Sequence, residues 1–149
     1  MRSIVVMVLI LAACAPGDNQ ATDTAATVDA SDALTAEDIS GSWSGTTFAE
    51  GSDSVLVRWT STMSGSSSVL LFEGSTDSVR ARTSLDADSV IVESDPYPAA
   101  TLPGNPQVRF RSVGRLRDGN LVGTSVLMLA SEPDSVVRRT RWEATRTTP

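Results

Sequence analysis

An all-β fold, a sandwich or a barrel of eight antiparallel strands, is predicted for the chain after Gly41 by three features of its sequence. Apolar and polar residues alternate with period two, from "SVLVRWT" at 54–60 to "TRWEATR" at 140–146. No segment after Trp43 keeps a helical period for more than two turns. Clusters of Gly, Ser, Asp and Pro interrupt the runs every eight to twelve residues, the spacing of turns in sandwiches and barrels. A chain of 149 residues with 40% apolar content has room for one such domain around one core.

Ahead of the strands, "LTAEDISGSW" predicts a single helical turn. Thr35 is placed as its N-cap, Asp38 at the third helical position can return the bond, and Leu34 and Ile39 are spaced as a hydrophobic staple. Strands are then expected near 43–49, 54–60, 68–73, 78–83, 89–93, 107–117, 121–129 and 136–147.

The pattern is clearest in "VRFRSVGRLRDGNLVGTSVLML". Val108, Phe110, Ser112, Gly114 and Leu116 share one face, and Arg109, Arg111, Arg115 and Arg117 share the other with Val113. Four arginines do not fill a core, so the Phe110 face points inward. A two-residue turn at Asp118-Gly119 or Gly119-Asn120 continues the inward set through Leu121, Gly123, Ser125, Leu127 and Leu129. On the last strand Val136, Arg138, Thr140, Trp142 and Ala144 form the more apolar face and are expected inside.

The triplet Asp-Ser-Val occurs four times, at residues 53–55, 77–79, 88–90 and 134–136. Asp and Ser favour turns and Val favours a pleated strand, so the triplet reads as a strand-entry signal. A calcium loop would need more oxygen ligands at alternating spacing than these flanks supply.

The N-terminus has a different character. Arg2 precedes an apolar run from Ile4 to Ala13, too short to span a bilayer that needs about 20 residues, and of the length of a signal-peptide core. The run ends in Leu11-Ala12-Ala13-Cys14, which resembles the lipobox of bacterial lipoproteins. That resemblance implies cleavage before Cys14, a lipid thioether on its sulfur, and stable anchoring to a membrane by two or three acyl chains. Ala15 after the lipidated residue points to the outer membrane. The expected organisation is a signal peptide at 1–13, the lipidated Cys14 with a disordered tether at 14–33, and the β domain at 34–149. Between Ala15 and Ala33 there is one bulky aliphatic residue, Val28, which cannot offset the entropy of ordering the chain.

Gly41 and Trp43, at the start of the first strand after a short helical turn, resemble the Gly-x-Trp hallmark of the lipocalin superfamily. The resemblance implies a closed up-and-down barrel, with an Arg of the last strand packed across the indole. Arg139 and Arg141 are the two candidates for that role. The barrel so implied suggests non-enzymatic binding of a small apolar or amphipathic ligand. Small inward residues (Ser112, Gly114, Gly123, Ser125) would leave room for it, and Arg138, Trp142 and Phe110 are the candidate contacts. An inward guanidinium is costly unless paired, and a ligand carboxylate or phosphate can pair with it bidentately.

A rival reading, a structural or assembly role, places an envelope protein on the outer surface. There Val122, Val126 and Met128 form an apolar stripe flanked by Arg109, Arg111, Arg115 and Arg117. The loop "ESDPYPAATLPGNPQ", with the only tyrosine, either covers the barrel mouth or crosses it.

Other functions find little support. The chain has no His, so the usual general base at neutral pH is missing, and neither a nucleophile elbow nor a metal-ligand cluster is present. No enzymatic activity, metal or cofactor is expected. From Gly41 onward twelve acids balance eleven arginines, while the segment from Asp18 to Asp38 carries six acids and no base. A nearly neutral domain is not a nucleic-acid surface.

Overall fold

The computed structural model describes residues 33–147. The predicted signal peptide, Cys14 and the tether up to Asp32 lie outside the described residues.

The first element is the turn α1 (Ala36–Ile39), capped by Thr35 through a reciprocal box with Asp38. Hydrogen bonds from the Thr35 side chain and backbone hold the Asp38 carboxyl below its usual pKa. Strands β1 (Gly41–Ala49), β2 (Val55–Ser64), β3 (Ser67–Phe72), β4 (Ser78–Asp86) and β5 (Ser89–Ser94) follow, each antiparallel to the one before. After the two-residue β6 (Tyr97–Pro98) come β7 (Gln107–Arg117), β8 (Asn120–Leu129) and β9 (Val136–Arg146).

β5 pairs with β7, and β9 returns to pair with β1. Eight antiparallel strands therefore close into an up-and-down barrel, and β6 adds two residues beside the start of β7. Closure leaves no open edge in the ring, which sets aside the sandwich.

The turn chemistry is visible at each junction. Asp118 and Gly119 both have positive φ, 50° and 79°, in a two-residue hairpin that opposes Arg117 to Asn120. All four Asp-Ser-Val triplets stand where predicted, with strands beginning at Val55, Ser78, Ser89 and Val136. β2 runs four residues past its expected end. "STMSGSSS" looks like turn composition, yet Met63 is a buried residue opposite Gly41, and the turn proper is only Gly65-Ser66.

The two ends of the barrel differ. At one end the two-residue turns at 65–66, 87–88 and 118–119 lie with α1, where Ile39, Trp43, Val90 and Leu121 are almost fully buried. The Trp43 indole N–H donates to the Ile39 carbonyl at 2.9 Å. The longer connections 50–54, 73–77, 95–106 and 130–135 surround the other end, the mouth.

The cation over the Trp43 ring corrects the sequence expectation. It is Arg146, 4.7 Å from the ring centroid, and not Arg139 or Arg141. Trp43 pairs with Arg146 across β1 and β9, and Arg146 continues the inward series of Thr140, Trp142 and Ala144. Arg139 and Arg141 fall on the outward series: Arg139 is exposed, while Arg141 lies 4.0 Å over the Phe48 ring and pairs with Asp53 and Glu143. Arg146 also donates to the carbonyls of Asp38 and Ser40, so it ties α1 to the barrel. Gly41 is needed beside it: φ is 114°, and a Cβ there would stand 3.0 Å from the Arg146 guanidinium.

Candidate functional site

A cavity of about 130 Å³ opens from the mouth into the barrel. β2 and β3 supply Val57, Trp59, Ser61, Met63, Leu70 and Phe72 to its wall, and β7 to β9 supply Phe110, Ser112, Ser125, Leu127, Arg138, Thr140 and Trp142. Period-two alternation puts these side chains inside, as it does the buried residues of every strand. The three candidate ligand residues, Arg138, Trp142 and Phe110, thus lie on one cavity wall.

Two indoles shape the space. Trp59 and Trp142 meet edge to face, with centroids 6.1 Å apart. Trp59 donates to the Thr47 hydroxyl at 3.0 Å and Trp142 to the Thr124 carbonyl at 3.2 Å, so neither N–H is left over for a ligand. The indoles occupy sockets made by glycine. A Cβ on Gly45 would come within 2.2 Å of the Trp59 ring, and one on Gly114 within 2.4 Å of the Trp142 ring.

The expectation that the small inward residues all leave ligand space is therefore corrected in part. Gly114 and Gly123 are filled by Trp142, whereas Ser112 and Ser125 do line the cavity, hydrogen-bonded to each other. Which indole reaches which glycine depends on the closed ring and is not written in either strand alone.

Arg138 is half-buried on the cavity wall, and no carboxylate among the described residues pairs with it. The register of β8 with β9 shifts between Leu127 and Met128, so that Leu127 faces Arg138 and Met128 faces Val136. Val137 is the extra residue, and bulges of this kind re-aim side chains near sites. The bulge also removes Val136 from the predicted inward set, where it would have followed Arg138; it is exposed.

The proline-rich loop contributes as well. β6 pairs with Gln107 and Val108, and this pairing brings Tyr97 and Thr101 onto the cavity wall. Tyr97 stacks on Phe72 at 5.5 Å and meets Phe110 edge-on at 6.1 Å. Burial pushes its phenol up to about 12.

Tyr97 is the only tyrosine, so phenolate absorbance reads it alone. The native chain should ionise near pH 12 and the urea-unfolded chain near 10. Between those values the folded state holds the extra proton, so stability should fall as pH rises through this window, and below pH 10 the phenol should have no effect. A native midpoint near 10 would place Tyr97 in solvent.

The outer candidates are arranged differently. Val122, Val126 and Met128 are half-buried between the arginine rows, facing Arg115, Arg111 and Arg109 on β7. Arg111 pairs with Glu93 at 3.3 Å and Arg115 with Asp88 at 3.2 Å, while Arg117 faces Asn120 beside the hairpin turn. The more exposed apolar residues lie elsewhere, at Val69 and Leu71 on β3 and at Val55, Val136 and Val137 near the mouth.

Sequence reasoning missed Ser61, Met63, Leu70 and Tyr97 as cavity residues. The signal for two of them is in the sequence, since Trp59, Ser61 and Met63 continue one alternating face past the expected strand end at residue 60. Among the described residues no three His, Cys, Asp or Glu side chains are grouped to hold a metal. Comparison with protein-family models, curated proteins and solved structures finds no match to this chain, so the site itself carries the functional reading.

Proposed function

We propose that this barrel is a non-enzymatic binder of a small amphipathic molecule, held on a bacterial envelope membrane, the outer one, by a lipid on Cys14. The observation that carries the reading is Arg138, a cation without a carboxylate partner among the described residues, on the wall of an open cavity that is mostly apolar and otherwise carries only hydroxyls as polar side chains. A charge left half-buried and unpaired costs free energy, and a carboxylate arriving from the mouth recovers it through two parallel hydrogen bonds. A cavity of about 130 Å³ is close in size to one that takes a benzene ring. A short aliphatic chain fits inside it, and a sterol-sized body does not. The lipocalin-like features at the Trp43 end are in keeping with such a barrel.

Saturated monocarboxylates of four to ten carbons, titrated against the fluorescence of Trp59 and Trp142, test the reading. Arg138 has no ion pair to lose, so Arg138→Ala should fold normally. It should weaken the best ligand by about ten- to a hundredfold, the worth of a charge-assisted bond. Equal binding by both chains would remove the headgroup assignment. The rival assembly role on the outer face is weaker, because the stripe it relies on is half-buried and two of its four flanking arginines are already paired with Glu93 and Asp88.

A further inference from the structure

The cavity has a second polar feature at Ser61. This residue is 3% exposed and lies between Trp59 and Met63 on the inward face of β2, opposite Trp43 on β1 and Leu70 on β3. Its Oγ is the one buried side-chain nitrogen or oxygen among the described residues that has no hydrogen-bond partner. The other buried hydroxyls show that the barrel normally satisfies such groups. Ser68 accepts from Thr83, Ser94 accepts from the Phe110 N–H, and Ser112 and Ser125 bond to each other. Ser61 is one of the residues that line the cavity, and a rotation about its Cα–Cβ bond is what a ligand group would need to meet the hydroxyl.

A lone buried hydroxyl lowers stability relative to alanine, so the fold alone gives no reason for serine here. We propose that Ser61 is a hydrogen-bonding subsite, and that the natural ligand carries a second polar group, a hydroxyl or carbonyl, on the part of its chain that enters furthest from Arg138. This rests on the amphiphile reading above and narrows it. The ligand is polar at both ends and apolar between them, with its middle against Trp59, Trp142 and Leu70. A plain alkanoate of the same length would leave Ser61 buried and unpaired, whereas an ω-hydroxy acid would bond to it.

Matched alkanoates and ω-hydroxyalkanoates of four to eight carbons, titrated into wild type and Ser61→Ala, test this. In wild type the best hydroxy acid should bind about three- to tenfold more tightly than its plain counterpart, the worth of one neutral hydrogen bond. Ser61→Ala should abolish that preference while leaving the thermal midpoint of the empty protein unchanged or higher. Equal or tighter binding of the plain acids at every length would overturn the subsite, as would a preference that survives in Ser61→Ala. A lower midpoint for the variant would make the hydroxyl part of the fold and also defeat the proposal. If neither series bound at all, the amphiphile reading itself would fall, an outcome distinct from plain acids binding without preference.

Discussion

Trp43→Ala should lose about 3–5 kcal/mol of unfolding free energy, the usual cost of truncating a large buried aromatic. That is a large part of the 5–15 kcal/mol that holds a typical domain folded. The indole is fully buried against Ile39 and the core, its N–H is bonded to the Ile39 carbonyl, and the Arg146 guanidinium closes it from outside. Truncation opens a void and also orphans that carbonyl. Arg146→Ala should cost less, about 1–3 kcal/mol, because it removes bonds to two carbonyls and the ring contact from a more exposed position. Arg146→Lys should not restore it, since an ammonium cannot lie flat on the ring while reaching both carbonyls. Arg139→Ala should stay within about 0.5 kcal/mol of wild type. Urea unfolding followed by circular dichroism measures all four. If Arg139→Ala matched Arg146→Ala, the assignment of the stacking cation would be wrong.

That contrast between arginines shows where the sequence was legible. Alternation is local, and along β7 and β8 it identified every inward residue, because four arginines on one face left no choice and Asp118-Gly119 preserved the phase across the turn. Turn chemistry was equally local, and the repeated Asp-Ser-Val marked four strand starts. The same parity argument that placed Arg138 inside would have rejected Arg139 and Arg141 as partners of a buried indole, had it been carried to the end of β9. The misreading of β2 has another cause. Ser and Gly dominate "STMSGSSS", but pairing with β1 and β3 on both sides outweighs their weak strand preference. The content of the lumen was the least legible part. Whether a small inward residue leaves a hole or receives a ring depends on the far wall, and no single strand shows that.

The packing of Trp142 tests this last point, because two glycines serve the same ring in different ways. Gly114→Ala puts a methyl 2.4 Å from the Trp142 ring, so overpacking should cost about 1–3 kcal/mol in the wild-type background. Trp142→Ala alone should cost about 3–5 kcal/mol through the cavity it leaves. The two losses should not add. With the indole gone, the nearest atom left to the Gly114 methyl among those it met is the Val122 carbonyl at 3.2 Å, a tight contact but far milder than the ring at 2.4 Å, so in the Trp142→Ala background Gly114→Ala should cost less than it does in wild type, under about 1 kcal/mol. Gly123 should behave otherwise. Its methyl would stand 2.2 Å from the Val113 carbonyl and 2.7 Å from the Gly114 Cα, both backbone atoms of the neighbouring strand. Removing the indole leaves that clash in place, so Gly123→Ala should be destabilising in both backgrounds and should more readily disturb the pairing of β7 with β8. Denaturant midpoints of the six chains separate the cases. Additive losses at Gly114 would mean that the ring does not occupy the socket, and that the glycine is there for the bend of the strand instead.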